Sequence, residues 1–263
     1  MNLLELKIVD SLKRLKEEYA VEGVKAEFEA EGTRTEELMR LKEICLAARV
    51  SLTLKIGGCE AIRDMYDARA IGVDYLVAPM VETSFALEKY LRAIDIVFPS
   101  DEQENVEFLI NIETLYAVEN FSRMLQLKQI NKLNGIVVGR VDLSGSMGLD
   151  RSAVNNQKMF DLTKSTLEKA KQKGLACVVG GAISVEALDF LRKLPADLID
   201  RYETRKICFL MSQVKASKAS EGINKAVEFE LLWLQNKRNY YKAISQEDDK
   251  RINMLEERVG GGK

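Results

Sequence analysis

The chain has 263 residues, 46% of them hydrophobic, with 39 basic and 41 acidic side chains and a net charge of -2. That length can bury one large core, and the interspersed signs leave no basic field for nucleic acid or an anionic membrane surface, so a small ligand is the expected partner. Histidine is absent, which excludes Ser-His-Asp and Cys-His catalysis and leaves acid, base and ligand roles to Asp, Glu, Lys, Tyr, Cys or water.

The opening "MNLLELKIVDSLKRLKEEYA" mixes charges with apolar residues at helical spacing, unlike the unbroken apolar run of a signal peptide. No stretch reaches the roughly 18 apolar residues of a membrane span, so a cytoplasmic protein is expected. Cys45, Cys59, Cys177 and Cys208 lie far apart without CxxC spacing and read as reduced thiols.

Strand-like apolar runs follow at 24–30 (VKAEFEA), 51–56 (SLTLKI), 75–80 (YLVAPM), 107–113 (EFLINIE), 135–142 (GIVVGRVD), 176–180 (ACVVG) and 203–210 (ETRKICFL). Helical patterns such as "TEELMRLKEICLAARV" and "TKSTLEKAKQKG" separate most of them. Strand and helix alternating in this way predict a parallel sheet closed into an α/β (β/α)8 TIM barrel, with seven strands legible and the eighth unplaced. Beyond them "GINKAVEFELLWLQNKRNYYKAI" predicts a long amphipathic helix, and "SQEDDKRINMLEERV" a second one restarting at Ser245 and Asp248 with capping-box spacing. Residues 1–263 are thus expected to form a single barrel domain, with 220–258 a helical extension used in a homo-oligomer and the closing "GGGK" a frayed end.

Side chains alternate across a strand, which puts Lys25, Glu27, Glu29 and Glu31 opposite Ala26, Phe28 and Ala30. The same split sets Thr53 and Lys55 against Leu52 and Leu54, Asn111 and Glu113 against Ile110 and Ile112, and Arg140 and Asp142 against Val137 and Val141. If the apolar faces meet the helices, the charges meet inside, where they persist only when neutralised by opposite signs or a cation. Salt bridges that merely close the barrel account for Lys25 and Glu27. Lys55, Glu113 and Asp142 stand at C-terminal strand ends, where barrel enzymes keep their active sites. Glu113 and Asp142 are therefore candidate ligands for Mg2+ or Mn2+, hard ions that take carboxylate oxygens and keep water or substrate in their other positions.

"INIETLYAVENF" followed by "LNGIVVGRVDLSGSMGL" resembles the HpcH/HpaI family of pyruvate-dependent aldolases and the citrate lyase β-subunit, whose pattern is a strand ending in I-E-T and then G-(I/V)-x-(I/V)-G-x-x-D-L-S-x-x-M-G. "DYLVAPMVET" is similar to the family's fourth strand, and the likeness runs over about residues 24 to 190. The resemblance implies Mg2+ or Mn2+ held at Glu113 and Asp142, chelating the carboxylate and keto oxygens of a 2-oxo acid such as pyruvate or oxaloacetate, for C–C lyase, aldolase or synthase chemistry. Backbone amides of Gly139, Arg140, Val141 and Asp142 would hold the substrate carboxylate.

Two departures from the family pattern follow. Lys55, in "TLKIGG", stands where the family commonly has an arginine at the end of its third strand; it can polarise an oxyanion but lacks the planar fork. Gly32, in "EAEGTR", stands where the family's aldolases carry a catalytic histidine, so the replacement base is Glu29, Glu31 or metal-bound water, with Glu29 preferred. Arg34 and Arg140 are each candidates for a second anionic group on the substrate, against the alternatives of solvent exposure and a salt bridge to a glutamate. Gly180 and Gly181, before Ser184, read as a phosphate-holding turn or a plain one, Glu82 as a neighbour of the metal ligands, and Glu203 and Arg205 as structural residues far from the mouth. Two rival functions remain open: a Schiff-base aldolase using Lys55, or a non-catalytic ligand-binding barrel that has lost its base.

Overall fold

The structure, a computed structural model, describes residues 1–214 and 217–260. Asn2 starts the first helix with a capping box: its side chain accepts from Glu5 N, and the Glu5 carboxylate accepts from Asn2 N, both at 2.8 Å. Helix α1 (Leu3–Tyr19) buries Ile8, Leu12 and Leu15 along one face and leads into β1 (Val21–Glu27). The alternation then runs α2 (Thr35–Ala48), β2 (Ser51–Lys55), α3 (Ile62–Ile71), β3 (Tyr75–Ala78), α4 (Ser84–Val97), α5 (Ser100–Gln103), β4 (Glu107–Ile112), α6 (Leu115–Met124) and β5 (Gly135–Gly139). It continues through α7 (Arg140–Ser146), α8 (Gln157–Lys171), β6 (Ala176–Gly180), α9 (Leu188–Lys193), β7 (Arg201–Glu203), β8 (Ile207–Leu210) and α10 (Ala219–Gly260).

The eight strands close into a barrel in sequence order, as the alternation predicts. Strands β1 to β7 are parallel. Strand β8 is not: it pairs antiparallel with both β7 and β1. The run 203–210, expected as one strand, is a hairpin in which Thr204 N donates to Ile207 O and Ile207 N to the Thr204 hydroxyl. This corrects the pure (β/α)8 expectation at one place, since no helix separates the last two strands. The segments that resemble the family's third and fourth strands in sequence are β2 and β3 here.

Three layers fill the barrel. At the N-terminal strand ends Tyr75 and Arg201 converge on Glu22, the Tyr75 hydroxyl donating to Oε1 at 2.6 Å and Arg201 pairing with Oε2 at 3.1 Å. Above this plug lies a small apolar layer of Val77, Leu109, Val137 and Val178. The third layer, at the C-terminal ends, is charged and forms the candidate site.

Because β8 returns the chain to the N-terminal end, α10 climbs back along α1 in the antiparallel sense. Gly222 approaches Tyr19 so closely that a Cβ would lie 3.0 Å from its ring, and Asn2 Nδ2 donates to Asn236 Oδ1 at the other end. The restart expected at Ser245 does not occur; 42 residues form one continuous helix, about 63 Å long. Gly260 ends it, and residues 261–263 of "GGGK" lie outside the described residues. Among the described residues no helix is long and apolar enough to cross a membrane.

Candidate functional site

Alternation along the strands brings Lys25, Glu27, Lys55, Asn111, Val137 and Gly139 to one cavity of about 430 Å3 at the barrel mouth. Glu113, Val141, Asp142, Arg151, Gly180, Gly181, Glu203 and Arg205 also line it, and Val227 and Glu230 of α10 close one side. The volume falls within the 300–1,000 Å3 range typical of ligand pockets.

Opposite charges hold the mouth together. Lys25 Nζ lies 2.5 Å from Glu203 Oε1 and 3.0 Å from Glu27 Oε1. Lys55 Nζ lies 2.6 Å from Glu29 Oε2 and 3.7 Å from Glu27 Oε1. Burial disfavours both ammonium groups, but the surrounding carboxylates outweigh it and hold each pKa above the ordinary lysine value. Burial also opposes the charge on Glu27, yet Lys25 and Lys55 keep its carboxyl below the usual range. Lys55 is therefore held as a cation, whereas a Schiff-base lysine needs a depressed pKa.

Glu113 follows β4 directly and is 1% exposed. Its Oε1 accepts from Met80 N at 2.9 Å and its Oε2 from Asn111 Nδ2 at 2.7 Å. Met80 has a left-handed φ of 51°, which turns its N–H toward the carboxylate. Gly139 is required alongside, since a Cβ there would lie 2.8 Å from Glu113 Oε2. Burial raises the Glu113 pKa against the opposing pulls of Lys55, Met80 N and Asn111, and the nearby Asp142 adds to the rise.

Asp142 reaches the same mouth by a different route from the one expected. The strand stops at Gly139, so Arg140 and Asp142 are not strand residues; Asp142 sits exposed in the first turn of α7. Gly181, at φ 78°, packs against this turn so closely that a Cβ would lie 2.6 Å from Arg140 N and 2.7 Å from Val141 N. A glycine here leaves open the space in front of those amides.

The residues fit a hard divalent cation. Two carboxylates, Glu113 and Asp142, line one mouth, and Asn111 Oδ1 is buried there without a hydrogen-bond partner among the described residues. Once its amide nitrogen is committed to Glu113, that oxygen lacks only a donor, such as a water on an ion held by Glu113. Among the described residues no group of three or more Cys, Asp or Glu side chains is placed to share a metal. Mg2+ commonly takes one or two carboxylates and completes its shell with water and substrate.

Of the residues expected to bind substrate, Gly139 and Val141 line the cavity and two arginines do not. Arg140 is fully buried and points away from the mouth: Nε donates to Gly180 O at 3.1 Å, Nη1 to Val154 O at 3.2 Å and Asn155 Oδ1 at 2.7 Å, and Nη2 to Gly181 O at 2.7 Å. Among the described residues it has no glutamate partner either, and burial pulls its pKa down to about 10. Arg34 leaves the mouth because it caps α2, where it pairs with Glu37 at 3.6 Å and lies over the Tyr241 ring at 4.4 Å. Glu29 does not line the cavity but holds Lys55, which does.

The hairpin reverses another expectation. Glu203 and Arg205 stand at the mouth, because β7 runs parallel to its neighbour and ends there. Glu31 is clasped by Arg205 at 3.1 Å and by Lys206, which ties the β1–α2 loop to the β7–β8 turn. Ser184 gives no capping hydrogen bond and donates to Glu186 at 2.5 Å, so Gly180 and Gly181 serve the turn over α7. Glu82 accepts from the Thr114 hydroxyl at 2.7 Å, one residue from Glu113. Arg151 and Glu230 were not singled out in the sequence; the position of Arg151 soon after "DLSGSMG" was the available signal.

A closed α/β barrel with its charged mouth at the C-terminal strand ends is the architecture of a barrel enzyme. The family model for HpcH/HpaI aldolase/citrate lyase matches residues 41–196. The chain belongs to this family of carbon–carbon lyases and synthases. A comparison with curated proteins found no match. In fold, the chain is similar to the HpcH/HpaI aldolase from Desulfitobacterium hafniense DCB-2, with TM-score 0.60 and 14% identity over 74% of this chain and 80% of that one. It is likewise similar to an HpcH/HpaI aldolase/citrate lyase family protein from Burkholderia cenocepacia J2315, with TM-score 0.60 and 14% identity over 92% and 90%. Macrophomate synthase also matches, with TM-score 0.59 and 15% identity over 91% and 82%. The family match excludes β1, the β7–β8 hairpin and α10, the last two being the parts that depart from the expected plan.

Proposed function

We propose that the protein is a Mg2+- or Mn2+-dependent carbon–carbon lyase or synthase acting on a 2-oxo acid such as pyruvate or oxaloacetate, with Glu113 and Asp142 as the metal ligands. The observation that carries this reading is the meeting of these two carboxylates beside the unpartnered Asn111 Oδ1. When bound, the ion supplies Lewis-acid stabilisation of negative charge developing on the keto oxygen.

The remaining work falls to the chain. Met80 N and Asn111 Nδ2 fix the Glu113 carboxylate in one orientation. Amides of the Gly139–Asp142 turn receive the substrate carboxylate in the space that Gly181 leaves open. Lys55, held charged by Glu27 and Glu29, stabilises the developing oxyanion. The proton at the carbon next to the keto group falls to Glu29, which lies outside the cavity lining and must part from Lys55 to reach it. The apolar layer beneath keeps water from the floor. A homo-oligomer assembled through α10 belongs to the same proposal: Leu231, Leu234, Ile252, Leu255 and Val259 lie exposed along that helix.

The test is a Mn2+ titration followed by paramagnetic resonance, run beside exchange of pyruvate methyl protons in deuterated water. Glu113→Gln and Asp142→Asn should each weaken Mn2+ binding at least tenfold and abolish exchange while the circular dichroism spectrum stays unchanged. Mn2+ affinity unaltered in both variants would remove the metal assignment.

A further inference from the structure

The carboxylates that line the mouth are Glu27, Glu113, Asp142, Glu203 and Glu230. Glu27 and Glu203 are bound to buried lysines, and Glu113 and Asp142 are the proposed metal ligands. Glu230 is left over: among the described residues no hydrogen bond or ion pair engages its carboxyl group. It projects half-buried from α10, three residues after Val227 and on the same helix face. Its charged neighbours, Lys206 and Arg205 of the β7–β8 turn and Glu31 of the β1–α2 loop, are bound to one another. Ring order then gives its place in the mouth. With eight strands closed in sequence order, β4 and β5 face β8 and β1 across the barrel axis. Glu113 and Asp142 follow β4 and β5, whereas the neighbours of Glu230 follow β1 and join β7 to β8. One cavity of about 430 Å3 reaches both sides. A 2-oxo acid anchored beside Glu113 and Asp142 therefore turns its far end toward Glu230.

Carbon–carbon chemistry next to an enolate needs a second proton transfer. The carbon that joins the enolate carries an oxygen, a carbonyl when free and a hydroxyl when joined, and that oxygen must lose or gain a proton as the bond breaks or forms. Histidine is absent from the chain, Lys25 and Lys55 are held as cations, and Glu29 is assigned to the other carbon. We infer that Glu230 is the catalytic acid and base for this oxygen, the reaction partner of the 2-oxo acid being an aldehyde or ketone. In cleavage the Glu230 carboxylate takes the hydroxyl proton, and the O–H electron pair becomes the second bond of the departing carbonyl. The C–C bond breaks, and its electron pair stays on the 2-oxo acid fragment as the enolate. In synthesis each pair moves back, and the protonated Glu230 gives its proton to the forming alkoxide. Burial raises the Glu230 pKa, with help from Glu31 and against Lys206 and Arg205, so the carboxyl group holds a proton closer to neutral pH and serves both directions. The inference deepens the proposed function and rests on it, because Glu113, Asp142 and Lys55 provide for the enolate.

The experiment separates the two proton transfers. Exchange of pyruvate methyl protons in deuterated water, with Mn2+ present, reports enolate formation and involves no second carbonyl. Joining of pyruvate to glyoxylate, glycolaldehyde, propanal or a second pyruvate, followed by magnetic resonance, reports the bond-forming step, and the isolated product then serves to time cleavage. Glu230→Gln should leave exchange within about twofold of wild type while cleavage falls about a hundredfold or more, the usual contribution of a positioned acid or base. In Glu230→Ala, added formate should restore cleavage at least about tenfold by replacing the missing carboxylate. Cleavage in Glu230→Gln within about threefold of wild type overturns the assignment. Equal losses of exchange and cleavage overturn it too, since they mark damage to the whole site, as does a loss in Glu230→Ala that formate leaves untouched. A wild-type protein that exchanges pyruvate protons yet joins pyruvate to none of these carbonyls also overturns it. Failure of the proposed function looks different: the wild-type protein then shows no exchange with any metal, and the inference falls with it.

Discussion

Replacing Arg140 should damage stability far more than substrate recognition. The side chain is fully buried and makes four hydrogen bonds, to Gly180 O, Val154 O, Asn155 Oδ1 and Gly181 O, with the Phe190 ring 4.5 Å from its guanidinium carbon. In Arg140→Met the stem still fills its channel, but four acceptors lose their donor, two of them, Gly180 O and Val154 O, in buried hydrogen bonds. Each orphaned group costs about 1–3 kcal/mol. Removal of the buried charge's own desolvation cost offsets part of this, so a net loss of roughly 3–5 kcal/mol is expected. With a urea m-value of about 3 kcal/mol/M, the unfolding midpoint should drop by about 1 M or more. Arg140→Lys, which retains one charged donor site, should fall between. Equilibrium urea unfolding followed by tryptophan fluorescence of Trp233 measures it. A midpoint within about 0.2 M of wild type, combined with a large rise in substrate KM, would refute the mooring role and restore Arg140 to substrate binding.

Three further outcomes follow from the same geometry. Gly181→Ala, at φ 78° and with 2.6 Å to Arg140 N, should destabilise by about 2 kcal/mol and weaken 2-oxo acid binding at least tenfold, both readable by calorimetry. Borohydride treatment with pyruvate should leave Lys55 unlabelled in intact-mass and peptide analysis, because even an unshifted lysine is less than about one part in a thousand amine at pH 7 and this one is held higher. Truncation after Ser245, which removes exposed Ile252, Leu255 and Val259, should reduce the assembly seen by light scattering while leaving the barrel folded.

The parts that were legible in the sequence depended on local repeats. Glu113 follows from strand parity and the I-E-T ending, and the charged interior follows from "VKAE" and "TLK". The parts that were not legible depended on contacts remote in the chain. Nothing in "GRVD" tells that the strand ends at Gly139, because Val141 continues the apolar pattern; the bend follows from Gly181, 40 residues later, lying against the α7 amides. The sequence leaves Arg140 open between a ligand anion and a glutamate partner because three of its four hydrogen bonds go to backbone carbonyls of residues 154, 180 and 181, and carbonyls carry no side-chain signature. The β7–β8 hairpin was hidden because its turn, Thr204–Lys206, contains no Gly, Pro or Asn. Ser245 and Asp248 had correct capping-box spacing but no breaker before them, so α10 simply continues.

The Glu31 clasp is what shapes the β1–α2 loop. Lys206 is 3% exposed and donates to Lys25 O at 3.3 Å as well as pairing with Glu31. Burial lowers its pKa, and Glu31, which raises it, compensates only in part. A lysine whose folded pKa lies below its unfolded value of about 10.5 burdens the native state at neutral pH, and the burden fades as pH rises toward that value. Glu31→Gln removes the main compensation. At about pH 7 the variant should lose roughly 3 kcal/mol, the cost of leaving a buried charge without its partner. By about pH 10 the deficit should shrink below about 1 kcal/mol, because the neutral amine no longer needs one. Urea unfolding of both proteins across that range decides the matter. A deficit that stays constant with pH would show that Glu31 acts through loop packing, and a deficit below about 0.5 kcal/mol at pH 7 would show that the loop does not depend on the clasp at all.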